Sequence, residues 1–81
     1  MLIENLIDDA QCIEVLAYVA YCEGRDEQII HNDRLYKHVI FAKQVAMSNF
    51  NIFIEANQLK NQWKSEPKLV SDFMNSYQLS S

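Results

Sequence analysis

Glycine and proline are almost missing from this chain, with one of each in 81 residues. A sheet of short strands needs turn residues at every reversal, so this scarcity points away from β structure and toward long helices with few connections. Gly24, the only glycine, cannot by itself build a glycine-rich phosphate loop. Cysteine is also scarce. Cys12 and Cys22 lie ten positions apart in what reads as one helix, which separates them by roughly 15 Å at 1.5 Å per residue, too far for a disulfide. No Cys or His pair has zinc-type spacing, so reduced thiols in a cytoplasmic compartment are expected. No long hydrophobic run is present either. The near-apolar stretch from Cys12 to Cys22 is about half of the ~20 residues a bilayer requires. Met1 to Asp9 carries no basic segment and no small-residue cleavage site, so neither export nor membrane insertion is expected.

What is present describes a folded domain. The apolar fraction of 49% and the charged fraction of 22% lie far from the composition of disordered chains. Residues 1–81 are expected to form a single helical domain, because one core is the norm at this length. Small cores are only marginally stable, which makes self-association a natural expectation. Charge is distributed unevenly. Residues 1–33 carry eight carboxylates against Arg25, a net −7, whereas residues 34–81 carry six bases against three acids, a net +3. Either an acidic helix packs beside a basic one, within the chain or across a dimer, or an acidic face is presented to a basic partner.

Hydrophobic periodicity predicts all-α structure: a bundle of three to four helices, dimeric, with a long or broken central helix. From Leu2 to Glu23 the residues Leu2, Leu6, Ile13, Leu16, Ala17 and Ala20 recur at steps suited to one helix, with Gly24 as its stop. Asp8 and Gln11 resemble a capping box and allow a later start. A second helical region begins between Asp26 and Asp33 and runs toward Lys64. Its apolar positions between Leu35 and Ile54 cover an arc of roughly 200°, about twice that of a helix touching its core on one side. Continuous from Asp33 to Lys64 it would measure about 48 Å, long for a domain of this size. Ser48 and Asn49 favour caps and offer a break into two antiparallel helices. Pro67 marks the first turn of a last helix, with Ser65 or Glu66 as its cap and Val70, Phe73, Met74 and Tyr77 on one face. Gln78 to Ser81 should fray.

Catalytic templates fail for want of parts, and a chain this poor in glycine offers little backbone for an oxyanion hole. No enzyme activity and no cofactor are expected. Glu27, His31, Arg34 and His38 share one helical stripe, but His31 and His38 are two turns apart, roughly 10 Å, and cannot share one metal ion without a bend or another chain. A solvated polar stripe is the simpler account. Glu14 and Lys43 each interrupt an apolar column and could pair across helices to fix register, or could each reach to water. The Lys60, Lys64, Lys68 row is too sparse for direct nucleic-acid binding.

Nine aromatic residues exceed what one small core readily hides. Phe41 lies in the polar column with Arg34, Ser48 and Glu55, and Trp63 lies toward a wet helix end, so both are expected as surface anchors for a partner, with Tyr36 and Phe50 beside them and Glu23, Asp26 and Glu27 as the acidic component. The function expected is stoichiometric protein binding: an adaptor, inhibitor, immunity-type or antitoxin-type protein that occupies a partner's surface. Homodimerisation through Leu35 to Ile54 is the companion expectation. The alternative is an acidic mimic of nucleic acid that blocks a DNA- or RNA-binding protein with Glu4, Asp8, Asp9, Glu23, Asp26 and Glu27.

Overall fold

The computed structural model describes residues 6–23 and 27–79, and among these the regular structure is entirely helical. The elements in chain order are α1 (Asp9–Cys22), α2 (Glu27–His31), α3 (Asp33–Ser48), α4 (Asn51–Ser65) and α5 (Pro67–Ser76). Five helices replace the three to four expected. Each additional boundary has a local cause.

The first helix starts at Asp9 rather than Leu2. Asp8, in an extended conformation, accepts a 2.8 Å hydrogen bond from the Gln11 backbone N–H through Oδ1. Only half of the anticipated capping box forms, because the Gln11 side chain reaches instead to the Tyr77 hydroxyl at 2.9 Å. At the other end Glu23 takes the left-handed conformation, φ 46°, while Gly24 lies outside the described residues. The long second region is broken twice. Asn32 caps α3 by accepting from the Leu35 N–H at 2.9 Å, which separates α2 from α3. Asn49 ends α3 and its Oδ1 accepts from the Asn51 N–H at 3.2 Å, a local turn that competes with continued helix. The break anticipated at Ser48 and Asn49 is therefore present. The molecule extends 39 Å along its longest axis, shorter than one unbroken helix from Asp33 to Lys64 would be.

Helix α1 is the centre of the fold. Val15, Leu16, Ala17 and Tyr18 are all buried, and four consecutive residues occupy a full turn, so this part of the helix is covered on every side. It packs most extensively on α4 and next on α3, whereas α3 and α4 approach each other little. Leu35, Val39, Ala42 and Ala46 of α3, at three- and four-residue steps, and Ile52, Ala56 and Trp63 of α4, at steps of four and seven, supply the facing layers. Val70 and Phe73 of α5, with Tyr77 just after it, then close one end, stacking Phe73 between Tyr18 and Trp63 at centroid distances of 4.9 and 5.4 Å. Pro67 stands at its first turn as expected, but neither Ser65 nor Glu66 makes a side-chain cap. Of the segment expected to fray, Gln78 and Leu79 are instead held by a Schellman closure, in which Gln78 adopts φ 58° and the Leu79 N–H donates to Met74 O at 2.9 Å, while Ser80 and Ser81 lie outside the described residues. Among the described residues no helix is long and apolar enough to cross a membrane.

Candidate protein-docking face

The apolar perimeter of residues 35–54 is only half used by the core. Tyr36, Ile40 and Met47 of α3 and Phe50, Phe53 and Ile54 at the start of α4 all remain exposed. Met47 is 83% exposed and Phe50 70%, at a helix-to-helix corner where polar residues are the norm. The corner follows from the Asn49 break, which swings Phe50 out of the α3 register and sets its ring 6.1 Å from that of Phe53. Along α3, Tyr36, Ile40, Lys43 and Met47 fall at i, i+4, i+7 and i+11, one continuous stripe beside the core-facing residues.

This stripe runs into a groove. Lys43 on one wall and Phe53 and Asn57 on the other enclose a depression of about 250 Å³ floored by Leu16, Val19 and Ala20 of α1. Stripe, groove and corner thus form one face. With aromatic side chains contributing on the order of 150–250 Å² each, the exposed parts of the six large apolar side chains sum to roughly 600 Å². A monomer's largest apolar patch is often functional at this size.

The residues singled out from sequence divide between this face and the core. Tyr36 and Phe50 lie on the face. Phe41 and Trp63, expected as surface anchors, are instead core residues, 8% and 3% exposed. Trp63 is enclosed because α5 folds back over the supposedly wet end, bringing Phe73 against it, with Tyr21 6.5 Å away on the other side. Phe41 was assigned to a polar column, but Arg34 of that column lies 4.5 Å over the Tyr77 ring, so the column faces the chain's own C-terminal segment. Glu14 and Lys43, which could pair or each reach to water, form no salt bridge with each other. Both are exposed and they line separate depressions, Lys43 the groove and Glu14 a shallow cleft of about 380 Å³ beside Trp63 and Phe73. Among the described residues no charged side chain is buried. Desolvation in that cleft, with a smaller contribution from Asp8, raises the Glu14 carboxyl above its ordinary range.

The acidic component is described only in part. Glu23 pairs with Lys64 at 3.6 Å and Asp8 caps α1, while Asp26 and the side chain of Glu27 lie outside the described residues. The Asn32 cap also divides the Glu27, His31, Arg34, His38 stripe between two helices. Among the described residues no three His, Cys, Asp or Glu side chains are grouped to hold a metal ion. His38 instead packs edge-on against Tyr77 and shares a 2.6 Å hydrogen bond with its hydroxyl. Cys12 is buried, and burial followed by the charges of Asp9 and Asp8 raises its thiol, which makes it a poor nucleophile.

Sequence reasoning missed Ile40, Met47, Phe53 and Ile54 as face residues because it counted them within one wide arc. The available signal was the four-residue step from Tyr36 to Ile40 and the seven-residue step to Met47, offset from the core stripe Leu35, Val39, Ala42, Ala46. No family model, no curated protein and no solved structure matches the chain.

Proposed function

We propose that this chain is a small helical protein-binding module, acting in the cytoplasm without catalysis by stoichiometric occupation of a partner's surface, as adaptor, inhibitor, immunity-type or antitoxin-type proteins do. The observation that carries this reading is the exposure of Met47 and Phe50 at the α3–α4 corner, contiguous with the Tyr36, Ile40, Lys43 stripe and the groove. Burial of one large apolar side chain is worth about 1.5–3 kcal/mol, so leaving six such side chains in water forgoes stability that a binding role would recover. The flexible thioether of Met47 and the rings of Phe50, Phe53 and Tyr36 belong to the residue types enriched at interface centres.

The test is affinity capture from the native host with the wild-type chain and with Met47→Asp/Phe50→Asp, followed by mass spectrometry. Both positions are exposed, so the variant should keep its circular dichroism spectrum and lose the partner. A partner retained by the folded variant overturns the reading. Steep loss of wild-type binding between low and moderate salt, with the variant unaffected, would assign the protein to the acidic-mimic class instead.

A further inference from the structure

We infer that the occupant of this face is an amphipathic helix of another protein carrying carboxylates beside its apolar stripe. The inference rests on the binding role proposed for the face and adds the chemistry of the partner. Its basis is charge. On α3 the stripe is Tyr36, Ile40, Lys43, Met47. On α4 the groove-side stripe is Phe53, Asn57, Lys60, Lys64, at the same i, i+4, i+7 and i+11 spacing. Lys43 and Phe53 both line the groove, so the two stripes border one surface. Neither stripe contains an acid. In a chain of net charge −4, the apolar face is bordered by three lysines, of which Lys64 already meets Glu23 at the far end, while Lys43 and Lys60 have no carboxylate partner among the described residues.

A second copy fits this arrangement poorly. Two-fold pairing places the same patch on both sides, so each copy would set Lys43 and Lys60 against the same lysines of the other, and the carboxylate at the edge of the patch, Glu23, is already taken by Lys64. Desolvating an uncompensated ammonium is unfavourable. A helix from another protein, laid along the surface with its apolar residues over Met47, Phe50 and the groove, meets the lysines with Asp or Glu at the edges of its stripe. Helix is the natural form for the occupant because ridges of side chains on α3 and α4 already flank a depression of helix-packing type.

The experiment displays helix-biased peptides of about 20 residues, long enough to hold a helix in isolation, and selects them on the full chain. The expected winners combine an apolar i, i+3, i+4, i+7 stripe with flanking Asp and Glu. The variant Lys43→Glu/Lys60→Glu, folded by circular dichroism, should bind the acidic winners at least about tenfold more weakly and should itself select basic peptides. Neutral or basic winners on the wild type, the same winners on the charge-swapped variant, or no enrichment at all overturns the inference. Winners that are indifferent to charge but lost on Met47→Asp leave the binding role standing without its acidic partner, whereas winners retained on Met47→Asp remove both. A wild-type dimer in sedimentation at micromolar concentration, dissociated by Met47→Asp, overturns the inference in favour of a second copy.

Discussion

The Tyr77 hydroxyl lies 2.6 Å from His38 Nδ1 and accepts a 2.9 Å hydrogen bond from Gln11 Nε2, joining α5 to α3 and α1 at a single atom. The bond to Nδ1 runs from the hydroxyl to the ring or from the ring to the hydroxyl according to the imidazole tautomer. Burial and, secondarily, the Arg34 guanidinium lower the His38 pKa below 6.5 and so favour the neutral imidazole in the folded chain. The unfolded chain therefore binds the proton more readily than the folded one between pH 6.5 and the depressed folded value. Stability contributed by His38 is complete above about pH 6.5 and is lost as the pH falls through that window. Urea midpoints should drop between pH 7.5 and pH 5.5, and His38→Gln should flatten this slope. An equal slope in the variant would show that other groups are responsible.

Asn32 performs two tasks with one side chain. Its Oδ1 caps α3 at the Leu35 N–H, and its Nδ2 donates to the Tyr77 carbonyl at 2.9 Å. Asn32→Asp keeps the capping acceptor and removes the donor, whereas Asn32→Ala removes both. A lost cap costs about 0.5–2 kcal/mol and a lost hydrogen bond about 0.5–1.5 kcal/mol. Chemical denaturation should therefore rank wild type above Asn32→Asp above Asn32→Ala. Both variants lack the bond to Tyr77, so equal stability of the two would mean that the cap at Leu35 contributes nothing.

The same residues show where sequence was and was not legible. Helical class, the break at Asn49, and the last helix from Pro67 through Val70, Phe73 and Tyr77 all rest on local chemistry, and local chemistry is written in the sequence. Periodicity places the start of the central helical region only between Asp26 and Asp33, whereas the cap that begins α3, Asn32, also holds the Tyr77 carbonyl, a contact 45 residues away in sequence. Phe41 and Trp63 were misplaced for a different reason. Phe41 shares its column with polar residues and Trp63 stands among polar neighbours, and the burial of both depends on tertiary neighbours that periodicity does not encode. The face itself was half legible: too much apolar perimeter was evident, but which half the core would take was decided by α1, the helix that α3 and α4 both flank.

Glu14 and Lys43 should behave as independent sites. Their double-mutant cycle with Glu14→Gln and Lys43→Met should give a coupling within about 0.5 kcal/mol of zero, the margin for uncoupled positions. Lys43→Met alone should change stability by no more than about 0.5 kcal/mol, as for exposed sites generally. Glu14→Gln should raise the melting temperature slightly at pH 7. The folded-state pKa of Glu14 is raised, so its ionised form disfavours the native state above that value, and the amide removes this charge. At pH 4 and below the gain should vanish because the carboxyl is then protonated in both states. A gain of the same size at pH 4 would trace to packing rather than charge.

Gln78 offers the most direct test of the C-terminal closure. A non-glycine residue at φ 58° bears a steric cost that glycine avoids, and here the conformation is held by the bonds from Gln78 N–H to Asn75 O at 3.1 Å and from Leu79 N–H to Met74 O at 2.9 Å. Gln78→Gly should therefore stabilise the protein by about 0.5–1 kcal/mol, or several degrees in melting temperature for a domain of this size. Replacement by a β-branched residue, Gln78→Val, should do the opposite, because Val is least tolerant of positive φ. The effect should also reach Tyr77. Loss of the closure frees the end of α5, and with it the contact of Asn32 and Arg34 with the carbonyls of Tyr77 and Ser76 at 2.9 and 3.1 Å. Hydrogen exchange of the Leu35 amide, capped by Asn32, should accordingly quicken in Gln78→Val and slow in Gln78→Gly. Unchanged exchange in both variants would show that the two ends of this contact are uncoupled.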